Sequence, residues 1–197
     1  MTRIVAGSVG GRILQVPRAG TRPTSERVRE ALFSRLEHLD VVDGARVLDL
    51  YAGSGALGIE AASRGAAQVT LVDSGRDAAD ACRRNVAALG LGHRVVVAAE
   101  KADRFVLRPA TWDLVLVDPP YDVTEQDLAA VLAPLALSTH GVLVVERGRR
   151  SPEPTWPDGM VRLDRRAYGD TVMWFAEASE PVQDGELRPA QIDATDG

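Results

Sequence analysis

The sequence predicts an α/β protein: a doubly wound, mostly parallel sheet of seven strands, preceded by an N-terminal β-hairpin and helix extension. Two observations lead there. From residue 44 onward, short apolar runs alternate with longer amphipathic ones, the pattern of a parallel sheet wrapped by helices. The apolar runs are continuous in Val and Leu, as strands buried on both faces require.

The elements follow in order. Residues 2–16, TRIVAGSVGGRILQV, read as two short strands around a loop holding Gly7, Gly10 and Gly11, the composition of a hairpin. After Pro17 and a polar link, Pro23-Thr24-Ser25-Glu26 reads as a helix start. Val28, Ala31, Leu32, Leu36 and Leu39 then recur at helical spacing, so this helix packs one face and offers its arginines elsewhere. ARVLDLY (45–51), AQVTLVD (67–73), RVVVA (94–98), WDLVLVD (112–118) and GVLVVER (141–147) supply five strands. Helical ALGIEAASRG (56–65), RDAADACRRNVAALG (76–90) and EQDLAAVLAPLAL (125–137) separate them, and a short connection follows RVVVA. MVRLDRRAYGDTVMWFAEA (160–178) holds two further strands with no helix between, an antiparallel pair at one sheet edge. Tyr168 and Trp174 are read there as core or edge residues. From Ser179 the chain is polar and acidic, with Glu180, Asp184, Glu186, Asp193 and Asp196, and a disordered tail is expected. The expected division is an extension over residues 1–40, a main domain over 41–178 and the tail over 179–197.

At 197 residues and 45% hydrophobic content the chain can bury one sizeable core. Its single cysteine, Cys82, cannot form an internal disulfide, and no signal peptide is evident, which fits a reducing cytoplasm. No apolar run approaches the roughly 20 residues of a membrane-spanning helix. The net charge of −5 is unevenly spread. Residues 1–35 carry seven arginines against Glu26 and Glu30, a local +5, so the remainder sums to −10. A basic end on an acidic body suggests a polyanion-binding attachment, and the bland alternative is a solvated helix face.

Gly53-Ser54-Gly55-Ala56-Leu57-Gly58 has the form G-x-G-x-x-G and lies between a strand and a helix. Glycines let backbone approach a ligand there, and the helix start offers unpaired N–H groups. Asp73 ends the next strand, placed to accept from both hydroxyls of a ribose. NAD competes at this point. Against it, Asp49 puts an acid in the strand just before the loop, where a pyrophosphate would come near, and no hydride-transfer residues follow. A cationic, phosphate-free cofactor such as S-adenosylmethionine suits both acids. The structural alternative for Asp49 is a carboxylate that braces the loop.

Leu116-Val117-Asp118-Pro119-Pro120-Tyr121-Asp122 ends a buried strand in a rigid turn. Ligands bind at the carboxyl edge of open α/β sheets, which puts Asp118 over the glycine loop. The prolines fix the backbone, so the Asp118 carboxylate and nearby carbonyls form a stiff set of acceptors. Tyr121 can stack on a planar base. Such acceptors hold an exocyclic amine, favour its pyramidalisation and aim its lone pair at a methyl donor. With an ordinary carboxylate pKa of about 3.9, Asp118 is a poor base for the neutral amine, so the proton leaves after transfer. DPPY resembles the motif of amino-methyltransferases acting on nucleobases or glutamine amides.

The stretch VLDLYAGSGALGIEAASRGA resembles the cofactor loop of class I methyltransferases. Together with GGRIL, RPTSERVREALFSRL and VDPPY, it is similar to the bacterial 16S ribosomal RNA guanine-N2 methyltransferase family of the RsmD type, over roughly residues 1–175. The resemblance implies transfer of a methyl group from S-adenosyl-L-methionine to the amine of a flipped-out guanine in 16S RNA of the small ribosomal subunit. It assigns cofactor contacts to Asp49, Tyr51, Ala52, Gly53, Ser54, Gly55 and Asp73, with Ser74 beside them. Lys101 and Ala102 take the adenine contact, with Asp103 as alternative, because Glu100-Lys101-Ala102-Asp103 departs from the family's small polar-Ala pair. Asp118, Pro119, Pro120 and Tyr121 form the catalytic turn, although phenylalanine is frequent at the last position. Arg22, Pro23, Thr24, Arg27 and Arg29 match the family's RPT…RVRE stretch and are expected to shape the pocket mouth and contact phosphates. Arg3, Arg12 and Arg18 join them on electrostatic grounds.

A monomeric enzyme without an obligate protein partner is expected. His38, His93 and His140 are scattered, so no metal site is expected. Ser54 lacks the elbow spacing of a serine hydrolase. A DNA amino-methyltransferase and a non-catalytic ribosome-assembly RNA binder stay open as alternatives.

Overall fold

The computed structural model describes residues 2–17 and 25–179. Fourteen elements follow in order. They are β1 (Thr2–Arg3), β2 (Ile13–Leu14), α1 (Glu26–His38), β3 (Arg46–Leu50), α2 (Ala56–Ser63), β4 (Gln68–Val72), α3 (Arg76–Ala88) and β5 (Val95–Ala98). The rest are α4 (Ala102–Phe105), β6 (Trp112–Val117), α5 (Glu125–Ala136), β7 (Thr139–Gly148), β8 (Met160–Tyr168) and β9 (Thr171–Ala178). The hairpin pairs Thr2 with Leu14 and Arg3 with Ile13. The main sheet has seven strands in the order β5-β4-β3-β6-β7-β9-β8. Strands β3 to β7 are mutually parallel, whereas β9 runs antiparallel between β7 and β8. The doubly wound α/β architecture and the antiparallel pair are as the sequence predicts. The chain order of that pair is inverted in space, since β9 enters the sheet and β8 takes the edge.

The helices begin where their caps say. Ser25 accepts from the Val28 N–H at the start of α1, and Thr124 from the Asp127 N–H at the start of α5. On α1 the buried stripe is Arg29, Leu32, Phe33 and Leu36, spaced i, i+3, i+4 and i+7. This stripe is rotated from the one predicted: Val28, Ala31 and Leu39 are only half-buried, and an arginine lies on the inner face.

Two cores cover the two sheet faces. Ile4 and Leu14 of the hairpin and Leu32, Phe33 and Leu36 of α1 share one with Val47, Ile59, Leu71, Cys82 and Leu116. The other gathers Leu48, Val115, Val117 and Val145 against Phe105, Leu128 and Leu132 of α4 and α5. The hairpin is also fastened by polar groups. Glu60 of α2 accepts from the N–H groups of Val5 at 2.7 Å and Ala6 at 3.0 Å, and the Ser63 hydroxyl accepts from Val9. The hairpin turn touches α2 so closely that a Cβ at Gly7, whose φ is +83°, would lie 2.0 Å from the Ser63 carbonyl oxygen. Among the described residues no helix is long and apolar enough to cross a membrane.

Candidate active site

The carboxyl edge of the sheet brings the glycine loop and the DPPY turn together. The loop leaves β3 at Tyr51, in the left-handed region at φ +61°, and turns through Gly53 (+59°) and Gly55 (+79°) into α2. Gly55 is the N-cap of α2 and offers no side chain to its first turn. Asp49 supplies the missing acceptor from within β3: its Oδ2 accepts from the Gly58 N–H at 2.8 Å. Gly58 permits this approach, because a Cβ there would lie 2.3 Å from Leu71 Cδ2 and 3.1 Å from Asp49 Cβ. The geometry of Asp49 is that of the bracing carboxylate weighed as its structural alternative.

Asp49 is 1% exposed, and its Oδ1 has no hydrogen-bond partner among the described residues. Burial pushes its carboxyl up to about 7, against the Gly58 hydrogen bond and helped by the charge of Asp73. Asp73 spans the two sides of the cofactor mouth: Oδ2 accepts from Gly53 N–H at 2.9 Å and Oδ1 from Gly75 N–H at 2.8 Å. The neighbouring Ser74 is exposed. Asn85 of α3 is buried and donates to the carbonyls of Ser54 and Gln15, both at 2.9 Å, while its oxygen accepts from Gln15 N–H. Cys82 donates to the Gly53 carbonyl at 3.3 Å, and burial, with Asp49 and Asp73 nearby, pushes its thiol up to about 12. Cys82 is thus a protonated donor at neutral pH and no nucleophile.

Ala52 and Ser54 are buried in the loop, and Tyr51 is half-buried. Burial raises the Tyr51 hydroxyl pKa, with Asp103 and Asp127 adding to it. Lys101 is exposed and caps α4, whose first residue, Ala102, is buried. The connection before α4 returns to the cofactor edge, because Glu100 N–H donates to the Asp73 carbonyl at 3.1 Å. The Asp73 carboxylate, with the partly ionised Asp49 behind it, disfavours a pyrophosphate and suits a cation. S-adenosylmethionine, with its sulfonium, amine and ribose, fits this donor and acceptor set.

On the neighbouring strand, Asp118 follows β6 and its N–H donates to the Leu50 carbonyl at 3.4 Å, so the DPPY turn starts against the base of the glycine loop. Pro119 is buried. Val123 N–H closes a turn onto the Pro120 carbonyl at 3.1 Å, with Tyr121 and Asp122 at its tip. The Tyr121 ring is 77% exposed. The far end of the turn is held from β7: Arg147, itself buried, donates to the Val123 carbonyl at 3.2 Å and pairs with Glu125 of α5 at 2.5 Å. Asp118, Pro119, Pro120, Tyr121, Glu146 and Thr171 line a small recess. Tyr121, Glu146 and Thr171 also line an adjoining cleft of about 540 Å³ that reaches Arg27 and Val28 of α1 and Tyr168. Sequence reasoning left Glu146, Arg147 and Thr171 unassigned and placed Tyr168 in the core or at the edge. The available signal was position: the ER of GVLVVER ends a buried run at the same sheet edge as DPPY.

The arginines divide. Arg27 is exposed and borders the cleft. Arg3 is exposed but paired with Glu26 at 2.8 Å, and Arg12 is exposed with a long contact to the Ala88 carbonyl. Arg29 must be removed from the expected phosphate contacts. It is fully buried, pairs with Glu60 at 3.6 Å and donates to the Arg3 carbonyl. Burial lowers its pKa, opposed by Glu60 and Glu26. The local +5 of the sequence therefore overstates the charge that this end presents at its surface. Arg18, Arg22, Pro23 and Thr24 lie outside the described residues, as does the tail from Glu180.

Comparison with known proteins agrees with this architecture. Residues 2–177 match the family described as Conserved hypothetical protein 95. The Ribosomal RNA small subunit methyltransferase D of Escherichia coli K12 is 42% identical over 120 residues, 60% of this chain and 60% of that relative. The match thus spans about three fifths of that relative's length. The Haemophilus influenzae protein of the same name is 31% identical over 174 residues, covering 85% of this chain and 89% of its own. A solved structure of a hypothetical protein from Thermus thermophilus superposes with a TM-score of 0.76 at 32% identity, covering 90% of this chain and 100% of that one.

Proposed function

Because the chain belongs to the Conserved hypothetical protein 95 family, we propose that it is an S-adenosylmethionine-dependent methyltransferase acting on the N2 amine of a guanine in 16S RNA of the small ribosomal subunit. The observation that carries the reading is the juxtaposition of the two motifs, Asp118 hydrogen-bonded through its N–H to Leu50 at the root of the glycine loop. The relatives' names support ribosomal RNA as the substrate.

When bound, the cofactor supplies an electrophilic methyl group on a sulfonium. Asp73 and the backbone of Gly53 to Gly55 hold it at the sheet edge, with Tyr51, Ala52 and Ser54 shaping the loop. Asp49 works from beneath, keeping the loop's shape through its hydrogen bond from Gly58. Lys101, Ala102 and Ser74 border the nucleoside side. Asp118 and the Pro119 carbonyl accept N–H groups of the amine and turn its lone pair toward the donor. Pro119 and Pro120 keep those acceptors in place, and Tyr121 stacks on the base. The proton leaves after transfer, when the nitrogen is cationic and its N–H acidic. A base inside a helix cannot reach this recess, so the guanine is flipped out or unpaired. Arg27, Arg3 and Arg12 contact phosphates, and Arg18, Arg22, Pro23 and Thr24 extend that grip. The enzyme works as a monomer in the cytoplasm, with residues 1–40 as its RNA-binding extension.

Methyl incorporation from labelled S-adenosylmethionine into undermethylated small subunits and into duplex DNA tests the reading. Label in a guanine of 16S RNA is expected. Label in DNA alone, or cofactor binding with no transfer, overturns it.

A further inference from the structure

We propose that Glu146 is the specificity-determining residue that reads the guanine N1–H, an inference that rests on the guanine reading above and deepens it. The register places it. In the parallel pair β6–β7, Leu116 faces Val144 and Val117 faces Val145; Asp118 and Glu146 are the next residue on each chain, just past the last paired position. Leu116 and Val144 pack in the core shared with the hairpin and α1, and the alternation of a strand puts Asp118 and Glu146 on that same face. Across the antiparallel ladder Glu146 pairs with Met173, which belongs to the same core. Arg147, the next residue, faces the opposite side and meets Glu125 of α5. Two carboxylate-bearing residues thus stand about 4.8 Å apart in backbone, the spacing of neighbouring strands. Both line the recess beneath Tyr121.

An ionised carboxylate is an acceptor only. Two acceptors abreast require two donors abreast on the base they hold. Guanine presents them, because its N1–H adjoins its N2 amine on the Watson–Crick edge. Adenine and cytosine each place a ring nitrogen lone pair beside the exocyclic amine, and that lone pair would face the Glu146 carboxylate unpaired. With Asp118 holding the amine, Glu146 accepts N1–H, selects guanine and fixes the rotation of the ring. A site that hydrogen-bonds a substrate N–H rejects analogues lacking it, because acceptor is then brought against acceptor.

The test uses small subunits assembled around RNA carrying either guanine or 2-aminopurine at the modified position; 2-aminopurine keeps the amine but lacks the N1–H. Glu146→Gln is expected to lower kcat/KM on guanine roughly 10- to 100-fold. Affinity for S-adenosylmethionine stays within about twofold of the wild type. The preference for guanine over 2-aminopurine collapses, because an amide N–H can donate to the N1 lone pair. Should Glu146→Gln not melt cooperatively, Glu146→Asp keeps the charge and withdraws the acceptor, and its loss must be larger on guanine than on 2-aminopurine. An unchanged preference in the folded variant, whatever the overall loss, makes Glu146 a structural residue and overturns the inference alone. Absence of guanine methylation by the wild-type enzyme brings down the parent reading and this inference together.

Discussion

The two halves of the site are built differently. On the cofactor side, Gly53, Ser54 and Gly58 each have a backbone group held by a side chain from another element: Asp73 and Cys82 on Gly53, Asn85 on Ser54, Asp49 on Gly58. On the substrate side, the turn after Asp118 is stiffened by its own prolines and gripped at its end by Arg147, while Tyr121 remains 77% exposed. The first half is prepared before any ligand arrives, and the second presents a hard edge and an open ring to something much larger. Preorganisation lowers the entropy lost on binding a small cofactor. Under the proposed function, a flipped base brings its own backbone and flanking structure, and needs an accessible doorway.

The contrast can be broken most severely at Asp118. Asp118→Ala should lower methyl transfer about 100- to 1000-fold while calorimetric affinity for S-adenosylmethionine stays unchanged; a parallel loss of cofactor affinity would mean that the halves are one unit. Next comes Arg29, which belongs to neither half. Arg29→Ala leaves Glu60 with one fewer cation in a buried site and should cost roughly 3 kcal/mol of folding stability, read by denaturant melts. Arg27→Ala at the cleft should stay within about 0.5 kcal/mol of wild type and weaken RNA binding instead.

A smaller effect is expected at the doorway. Tyr121→Ala should weaken substrate engagement by about 1 to 3 kcal/mol, seen as a raised KM, with the melting temperature unmoved. A further prediction concerns the loop's brace. The carboxyl of Asp49 ionises at about 7 in the folded protein instead of the ordinary 3.8. The folded state therefore holds a proton there that the unfolded chain has released, and stability drains away as pH rises from about 4 to about 7. Asp49→Asn should flatten that segment of the stability-against-pH curve; an unaltered slope would show that Asp49 is not its source.

The sequence was most legible where chemistry is local in the chain. The glycine loop, Asp73 and DPPY are short motifs whose spacing dictates their geometry, and the structure gathers them at one sheet edge. Legibility ended where a residue's role depends on a distant neighbour. Arg29 lies on an i, i+3, i+4, i+7 stripe with Leu32, Phe33 and Leu36, but reading it as buried requires Glu60, thirty-one positions further on. Glu146 joins Asp118 in one recess only because β7 pairs with β6, and Asn85 meets Ser54 and Gln15 only once α3 has docked.

The fastening of the hairpin also sets a schedule for synthesis. Val5 and Ala6 are made early, yet their acceptor Glu60 appears 54 to 55 residues later, and Gln15 waits 70 residues for Asn85. At an elongation rate of about 5 to 20 residues per second, those N–H groups spend roughly 3 to 14 seconds without their native partners. The nascent hairpin is an unfinished edge throughout that interval, open to association with other chains. An N-terminal label should therefore stay susceptible to protease on stalled chains until α3 has cleared the exit tunnel.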